Sequence, residues 1–189
     1  MRRSRIILVL VAMLAVTGAG IYFVLPTLMR TADHELPQNT VIISDALATS
    51  GQPSAAQLGR LHAQGYAAVI NLAPPGSYGA LRDESQLVAA AGMQYLNIPV
   101  DFDKPDPRDF ERFRAALGRL HGQRVWVHCQ MNMRASVFVL LYRVIDEGVA
   151  IDRAIEAVHA VWVPNAAWDG LIRTVLARHR VTFDPDLLR

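Results

Sequence analysis

A run of strand character, Arg124-Val125-Trp126-Val127, feeds through a short polar loop into Ala135–Val144, a mostly apolar stretch long enough for a buried helix. A mostly apolar helix of this length is a buried one, and the run before it is strand-like. Such a pair fits a layered α/β domain. Between them lies His128-Cys129-Gln130-Met131-Asn132-Met133-Arg134-Ala135-Ser136, which holds the only cysteine.

A strand-to-helix turn gathers backbone N–H groups and the positive end of the helix dipole. Such a setting binds anions and favours a thiolate over a thiol. Arg134 adds a guanidinium able to grip two oxygens of a tetrahedral oxyanion. A lone cysteine in apolar surroundings is ordinarily a small buried hydrophobe. The adjacent histidine, the spaced arginine and the strand–loop–helix setting point instead to a nucleophilic thiolate inside an anion cradle.

The rest of the chain alternates strands with helices. Val41–Ser44, Tyr66–Leu72 and Tyr95–Val100 have strand patterns. Ser54 is placed to cap a helix through Leu58, Leu61 and His62 that Gly65 stops. Asp83–Ala91 is a second helix ending at Gly92, and Arg108–His121 carries Phe110, Phe113, Leu117 and Leu120 on one face. Two more helices, Asp152–Trp162 and Ala166–Arg180, flank Pro164. The order predicts an α/β domain with a mainly parallel central sheet flanked by helices. Arg82 and Glu84, charged residues at a helix start near a loop mouth, read as solvated. Gln52 and Asn71 suit either turn and strand-end roles or positions that shape the site from behind. Trp162 and Trp168 read as packing the last helices onto the sheet.

Ile6–Met29 contains no charged residue, and its 24 positions would span about 36 Å as a helix. That length crosses ~30 Å of hydrocarbon with some tilt. A cleaved signal peptide has a shorter apolar region. The small residues Thr17–Gly20 leave that alternative open, while the run continuing through Ile21–Leu25 favours a retained anchor. Arg2, Arg3 and Arg5 precede the span, so the N-terminus is expected in the cytoplasm and the remainder across the inner or plasma membrane, in the periplasm. The expected organisation is an anchor (1–30), a linker (31–40), a main domain (41–180) and a loose tail (181–189).

Of 19 basic residues, Arg2, Arg3, Arg5 and Arg30 belong to the anchor, which leaves 15 against 17 acidic residues beyond it, a net charge of about −2. With no basic stripe either, nucleic acid is not expected as a partner. One cysteine excludes an internal disulfide, and six scattered histidines give no metal-ligand spacing, so neither metal nor cofactor is expected.

Four segments in order, Ser50-Gly51-Gln52-Pro53, Val69-Ile70-Asn71-Leu72, Tyr95 through Pro99 and Val127 through Ser136, resemble the cysteine-dependent protein tyrosine and dual-specificity phosphatases. Trp162-Val163-Pro164 and Trp168 add to the likeness, which is greatest to the bacterial beta-lactamase-hydrolase-like phosphatases and covers about residues 41–175. It implies a phosphatase-like catalytic domain in which the Cys129 thiolate attacks phosphorus and water hydrolyses the cysteinyl-phosphate. Arg134 and the N–H groups of residues 130–134 would hold the equatorial oxygens. His128 would order the loop from behind and help keep the thiolate. Ser136 would supply the hydroxyl that such enzymes place after the arginine. The resemblance also implies an acid for the leaving oxygen in the loop after Ile98-Pro99-Val100. The matching position is Phe102, flanked by Asp101 and Asp103, of which Asp103 lies nearer the loop crest. The implied substrate is a phosphorylated protein or a small phosphomonoester.

The chain departs from the usual phosphatase loop in having four residues, not five, between cysteine and arginine, and no glycine. Asn132 is the residue type best able to adopt the left-handed backbone that glycine would supply. Ala135 follows Arg134 directly, so the hydroxyl residue, Ser136, is displaced by one. Loops with the same short spacing occur in rhodanese-like sulfurtransferases, where the cysteine carries a persulfide. The beta-lactamase-hydrolase-like relatives share it too. Sulfur transfer and anion binding without turnover therefore stand beside phosphate hydrolysis.

Overall fold

A computed structural model describes residues 36–188. The charge-free segment Ile6–Met29 lies outside the described residues. Among those described, no helix is long and apolar enough to cross a membrane. Five strands, β1 (Val41–Ser44), β2 (Leu47–Ser50), β3 (Ala68–Asn71), β4 (Gln94–Asn97) and β5 (Val125–His128), form one sheet in the order β1-β2-β5-β3-β4. β1 and β2 are an antiparallel hairpin at the edge, and the pairs β2–β5, β5–β3 and β3–β4 are parallel. The helices are α1 (Ala55–Leu61), α2 (Glu84–Ala90), α3 (Pro107–Arg119), α4 (Met133–Ile145), α5 (Ile151–His159) and α6 (Ala166–Arg178).

Side chains on the central strands alternate between two cores, one on each face of the sheet. Ala68, Ile70, Val125 and Val127 pack with residues of α3, α4, α5 and α6. Val69 and Trp126 face the other way, into a smaller core with Leu58 and Leu61 of α1 and Val88 of α2. α4 lies within the larger core, with every residue from Arg134 to Leu141 buried. This is why its sequence is apolar all round.

Local signals set the helix ends. Ser54 and Gln57 form a reciprocal capping box on α1. Asp106 caps α3 with Pro107 at its first position, and Asn165 caps α6.

The sequence pattern leaves β2 unassigned. Leu47-Ala48-Thr49-Ser50 has one strongly apolar residue, and its strand conformation comes from pairing with β1 and β5, where all four side chains are buried. The compact unit that contains the sheet begins at Pro37, so residues 37–40 belong to the domain and not to a free linker. At the other end, Val181 and Phe183 pack against the larger core, and Pro185–Leu188 forms a 3-10 turn. That segment is docked, where the sequence reads as a loose tail.

Candidate active site

Parallel strands end together, and the residues at their C-terminal ends meet along one rim of the sheet. Here register aligns Ser50, His128, Asn71 and Asn97 across β2, β5, β3 and β4. Ser50, His128 and Asn71 are buried, and all four side chains are polar. Such a rim has to be hydrogen-bonded internally. Ser50 accepts from Trp126 Nε1 at 2.8 Å and donates to the Gly51 carbonyl at 2.7 Å. Asn97 Nδ2 donates to the carbonyls of Asn71 and Ala73 at 2.9 and 3.0 Å.

Cys129 follows β5 directly and is fully buried, with its N–H donating to Ser50 O at 3.3 Å. The loop then turns back on the segment after β2. Gln52 N–H donates to Gln130 O at 3.0 Å, and Gly51 and Met131 pair as an isolated antiparallel bridge. A Cβ on Gly51 would stand 2.9 Å from Gln130 O and 3.1 Å from Gln38 O, so only glycine allows this approach. Asn132 has φ 70°, the left-handed conformation that the missing glycine would otherwise supply. Its amide donates to Asn39 O at 2.6 Å and to Thr49 Oγ1 at 3.0 Å, while Asn39 Nδ2 donates to Met131 O at 3.0 Å. The loop carbonyls of Gln130 and Met131 are thus tied down. No hydrogen bond among the described residues takes up the N–H of Gln130, Met131, Met133 or Arg134. The last two belong to the first turn of α4, whose N–H groups lack helical partners.

Arg134 is 8% exposed. Its Nε donates to Val100 O at 2.9 Å, and its guanidinium lies over the Phe102 ring, 5.1 Å from the centroid. Nη1 and Nη2 have no partner among the described residues, which leaves the fork of the guanidinium for an oxyanion. Ser136 is buried, and its hydroxyl donates to Met133 O at 3.0 Å within the first helical turn.

The largest departure from the sequence reading is Glu84. Instead of being solvated, it is 4% exposed and is the hub of a buried network. Gln52 Nε2 donates to Oε1 at 2.7 Å. Asn71 Nδ2 and the Tyr95 hydroxyl donate to Oε2 at 2.7 and 3.0 Å. His128 Nε2 lies 3.0 Å from Oε1, a close contact off the ideal hydrogen-bond direction. Burial pushes the Glu84 carboxyl up, but the His128 contact and the donors from Gln52 and Tyr95 outweigh it and hold it below its usual range. Burial, together with the Glu84 charge, pushes the Tyr95 phenol well up, so it remains a donor. Gln52 and Asn71 both hydrogen-bond Glu84, at Oε1 and Oε2 respectively. Tyr95, Asn39 and Thr49 were not legible as partners, because each acts through a contact between distant segments. Arg82 is exposed, as its sequence position suggests.

On the opposite flank runs the Asp101–Lys104 loop. Asp101 Oδ1 accepts from the N–H groups of Asp103 and Lys104 at 2.9 and 3.2 Å, an Asx turn that shapes the loop. The Asp103 carboxylate is exposed and has no hydrogen-bond partner among the described residues. Phe102 anchors the loop: its ring packs against Trp162 and Trp168, each 5.7 Å away, and its carbonyl accepts from Trp168 Nε1 at 2.9 Å. Among the described residues, no group of three His, Cys, Asp or Glu side chains is placed to hold a metal ion.

A cysteine between a buried parallel strand and a buried helix, with an arginine on the first helical turn, is in keeping with a phosphatase-like α/β domain. The family model for the beta-lactamase hydrolase-like protein, phosphatase-like domain matches residues 39–144, and the chain belongs to that family. A beta-lactamase hydrolase-like protein of Agrobacterium fabrum (strain C58 / ATCC 33970) is 33% identical over 110 residues, 56% of this chain and 25% of that protein. The chain therefore spans about a quarter of the length of the curated relatives it matches. A DUF442 phosphatase candidate of Shewanella putrefaciens CN-32 is 32% identical, with a TM-score of 0.71 over 78% of this chain and 97% of that one. TpbA of P. aeruginosa shares the fold at 19% identity, with a TM-score of 0.59 over 80% of this chain and 89% of that one. A variant of TpbA has been solved in complex with phosphotyrosine.

Proposed function

We propose that the chain is a membrane-anchored phosphatase that hydrolyses a phosphomonoester through a cysteinyl-phosphate intermediate, with its catalytic domain outside the cytoplasm. One observation carries the reading. Among the described residues, Arg134, on the first turn of α4 beyond Cys129, keeps Nη1 and Nη2 without a hydrogen-bond partner, beside a loop in which the N–H groups of Gln130, Met131 and Met133 are also untaken. In the first step the Cys129 sulfur bonds to phosphorus as the bond to the leaving oxygen breaks, and a carboxylic acid gives that oxygen a proton. Water then attacks phosphorus, the S–P bond breaks, and the carboxylate takes the proton from water. Arg134 and the loop N–H groups stabilise the equatorial oxygens in both steps.

Asp103 suits the acid role better than Asp101, because one Asp101 oxygen is occupied in holding the turn. Ser136 would act by fixing the first turn of α4, since its hydroxyl is directed to Met133 O. Aryl phosphomonoesters are the first substrates to test, given that a protein with this fold takes phosphotyrosine. The full-length protein should release phosphate from an aryl phosphate, and Cys129→Ser should abolish the release. Undiminished activity in that variant would sink the reading. Sulfur transfer from thiosulfate to cyanide, with no phosphate release, would establish the persulfide alternative. The charge-free segment Ile6–Met29 supports the anchor. Full-length protein should stay with membranes on alkaline extraction, whereas a soluble product cleaved at Thr17–Gly20 would make that segment a cleaved signal.

A further inference from the structure

A loop can keep N–H groups turned toward an anion only if its carbonyls, which point the opposite way across each peptide, find partners elsewhere. The cysteine loop draws those partners from two places. Gln52 N–H donates to Gln130 O at 3.0 Å, and Asn39 Nδ2 donates to Met131 O at 3.0 Å. Asn39 grips the loop a second time, because its own carbonyl accepts from Asn132 Nδ2 at 2.6 Å. The two asparagines are matched in backbone, with φ 53° at Asn39 and φ 70° at Asn132. That conformation is costly for most residues and less so for asparagine. Asn39 is exposed, so core packing does not account for its conformation. Its segment is itself held. Pro37 is buried, Gln38 O accepts from Gly51 N–H at 2.7 Å, and Thr40 Oγ1 donates to Pro37 O at 2.5 Å.

We propose that Asn39 is a positioning residue for the anion cradle. By holding both the Met131–Asn132 peptide and the Asn132 side chain, it sets where the Met133 N–H and the Arg134 guanidinium stand relative to Cys129. The proposal rests on the reading of the loop as an anion cradle, and adds to it a residue 92 positions before the carbonyl it holds. Asn39 acts through Met131 and Asn132. In a loop with no glycine, this outside clamp keeps the left-handed turn at Asn132 in one conformation.

The probe is inorganic phosphate, titrated by calorimetry into the full-length protein at neutral pH and at a temperature where every variant is folded. Asn39→Gly keeps the left-handed backbone and the carbonyl acceptor and removes the amide donor. Its Kd for phosphate should rise about three- to tenfold. Asn39→Asp has the same shape and no donor when ionised. In high salt, which screens its added charge, it should weaken binding at least as much. Gln38→Ala keeps the carbonyl that Gly51 uses and should bind phosphate like the wild type. A merely structural role for Asn39 would lower Tm and leave the Kd of the folded protein unchanged. A folded Asn39→Gly protein with the wild-type Kd would therefore overturn the proposal, and if that variant does not fold, the Kd of Asn39→Asp decides in the same way. A wild-type protein that binds no phosphate would overturn the cradle and this proposal together. One that binds phosphate with the expected dependence on Asn39, yet releases none from a phosphomonoester, would end the phosphatase reading alone.

Discussion

The two flanks of the cysteine loop are built differently. On the β3–α2 flank, Glu84, Asn71, Tyr95, Gln52 and His128 form a buried network in which nearly every polar atom meets another protein atom. On the opposite flank, the Asp101–Lys104 loop is pinned through Phe102 among tryptophans, and its carboxylates remain exposed. The first flank is rigid because a buried, partly satisfied polar group is costly and each partner fixes the next. The second holds its backbone by packing and leaves its acids in water. Under the proposed hydrolysis, an acid that exchanges protons with substrate and water belongs in the second environment.

The sharpest way to break this contrast is to remove the acids one at a time. Asp103→Asn should lower kcat for phosphate release by about 10²–10⁴-fold with little change in Tm, as befits an exposed general acid. Asp101→Asn should cost less activity and some loop order. Reversed effects would move the acid role to Asp101. On the buried side, Asn132→Ala should destabilise the fold by about 2–4 kcal/mol, from a left-handed alanine and two lost side-chain bonds. Asn132→Gly keeps the backbone and should lose distinctly less, as denaturant unfolding would show.

The smallest effect concerns pH. The Glu84 carboxyl sits below its usual value of 4.5 in the folded chain, so its stabilisation is complete above that value and is lost as pH falls through the folded one. Between pH 7 and 3, Glu84→Gln should therefore lose less Tm than the wild type. An equal loss in both would mean that Glu84 is not held below its usual range.

Much of the fold was legible from local pattern. The alternation of strands and helices, the Ser54 cap, the single-faced α3 and the all-round apolar α4 are properties of short windows with strong periodicity. β2 was not, because Ala48, Thr49 and Ser50 carry no strand signal until β1 and β5 flank them. In the site, the order of Cys129 and Arg134 and the left-handed aptitude of Asn132 could be read from residue types. The place of Glu84 could not. A glutamate opening a helix is normally solvated, and only the convergence of α2, β3, β4 and β5 supplies enough donors to keep it buried and charged.

The sequence by itself determined that a single thiol stands between a buried strand and a buried helix with an arginine five residues on. Covalent order and hydrophobic periodicity suffice for that. Tertiary structure decided what surrounds the thiol. Asn39 and Gly51 close against a loop about 80 to 90 residues later in the chain, and Glu84 reaches His128 across 44 positions. Contacts at such separations leave no local trace, because each needs the packed sheet to bring its partners within hydrogen-bond distance.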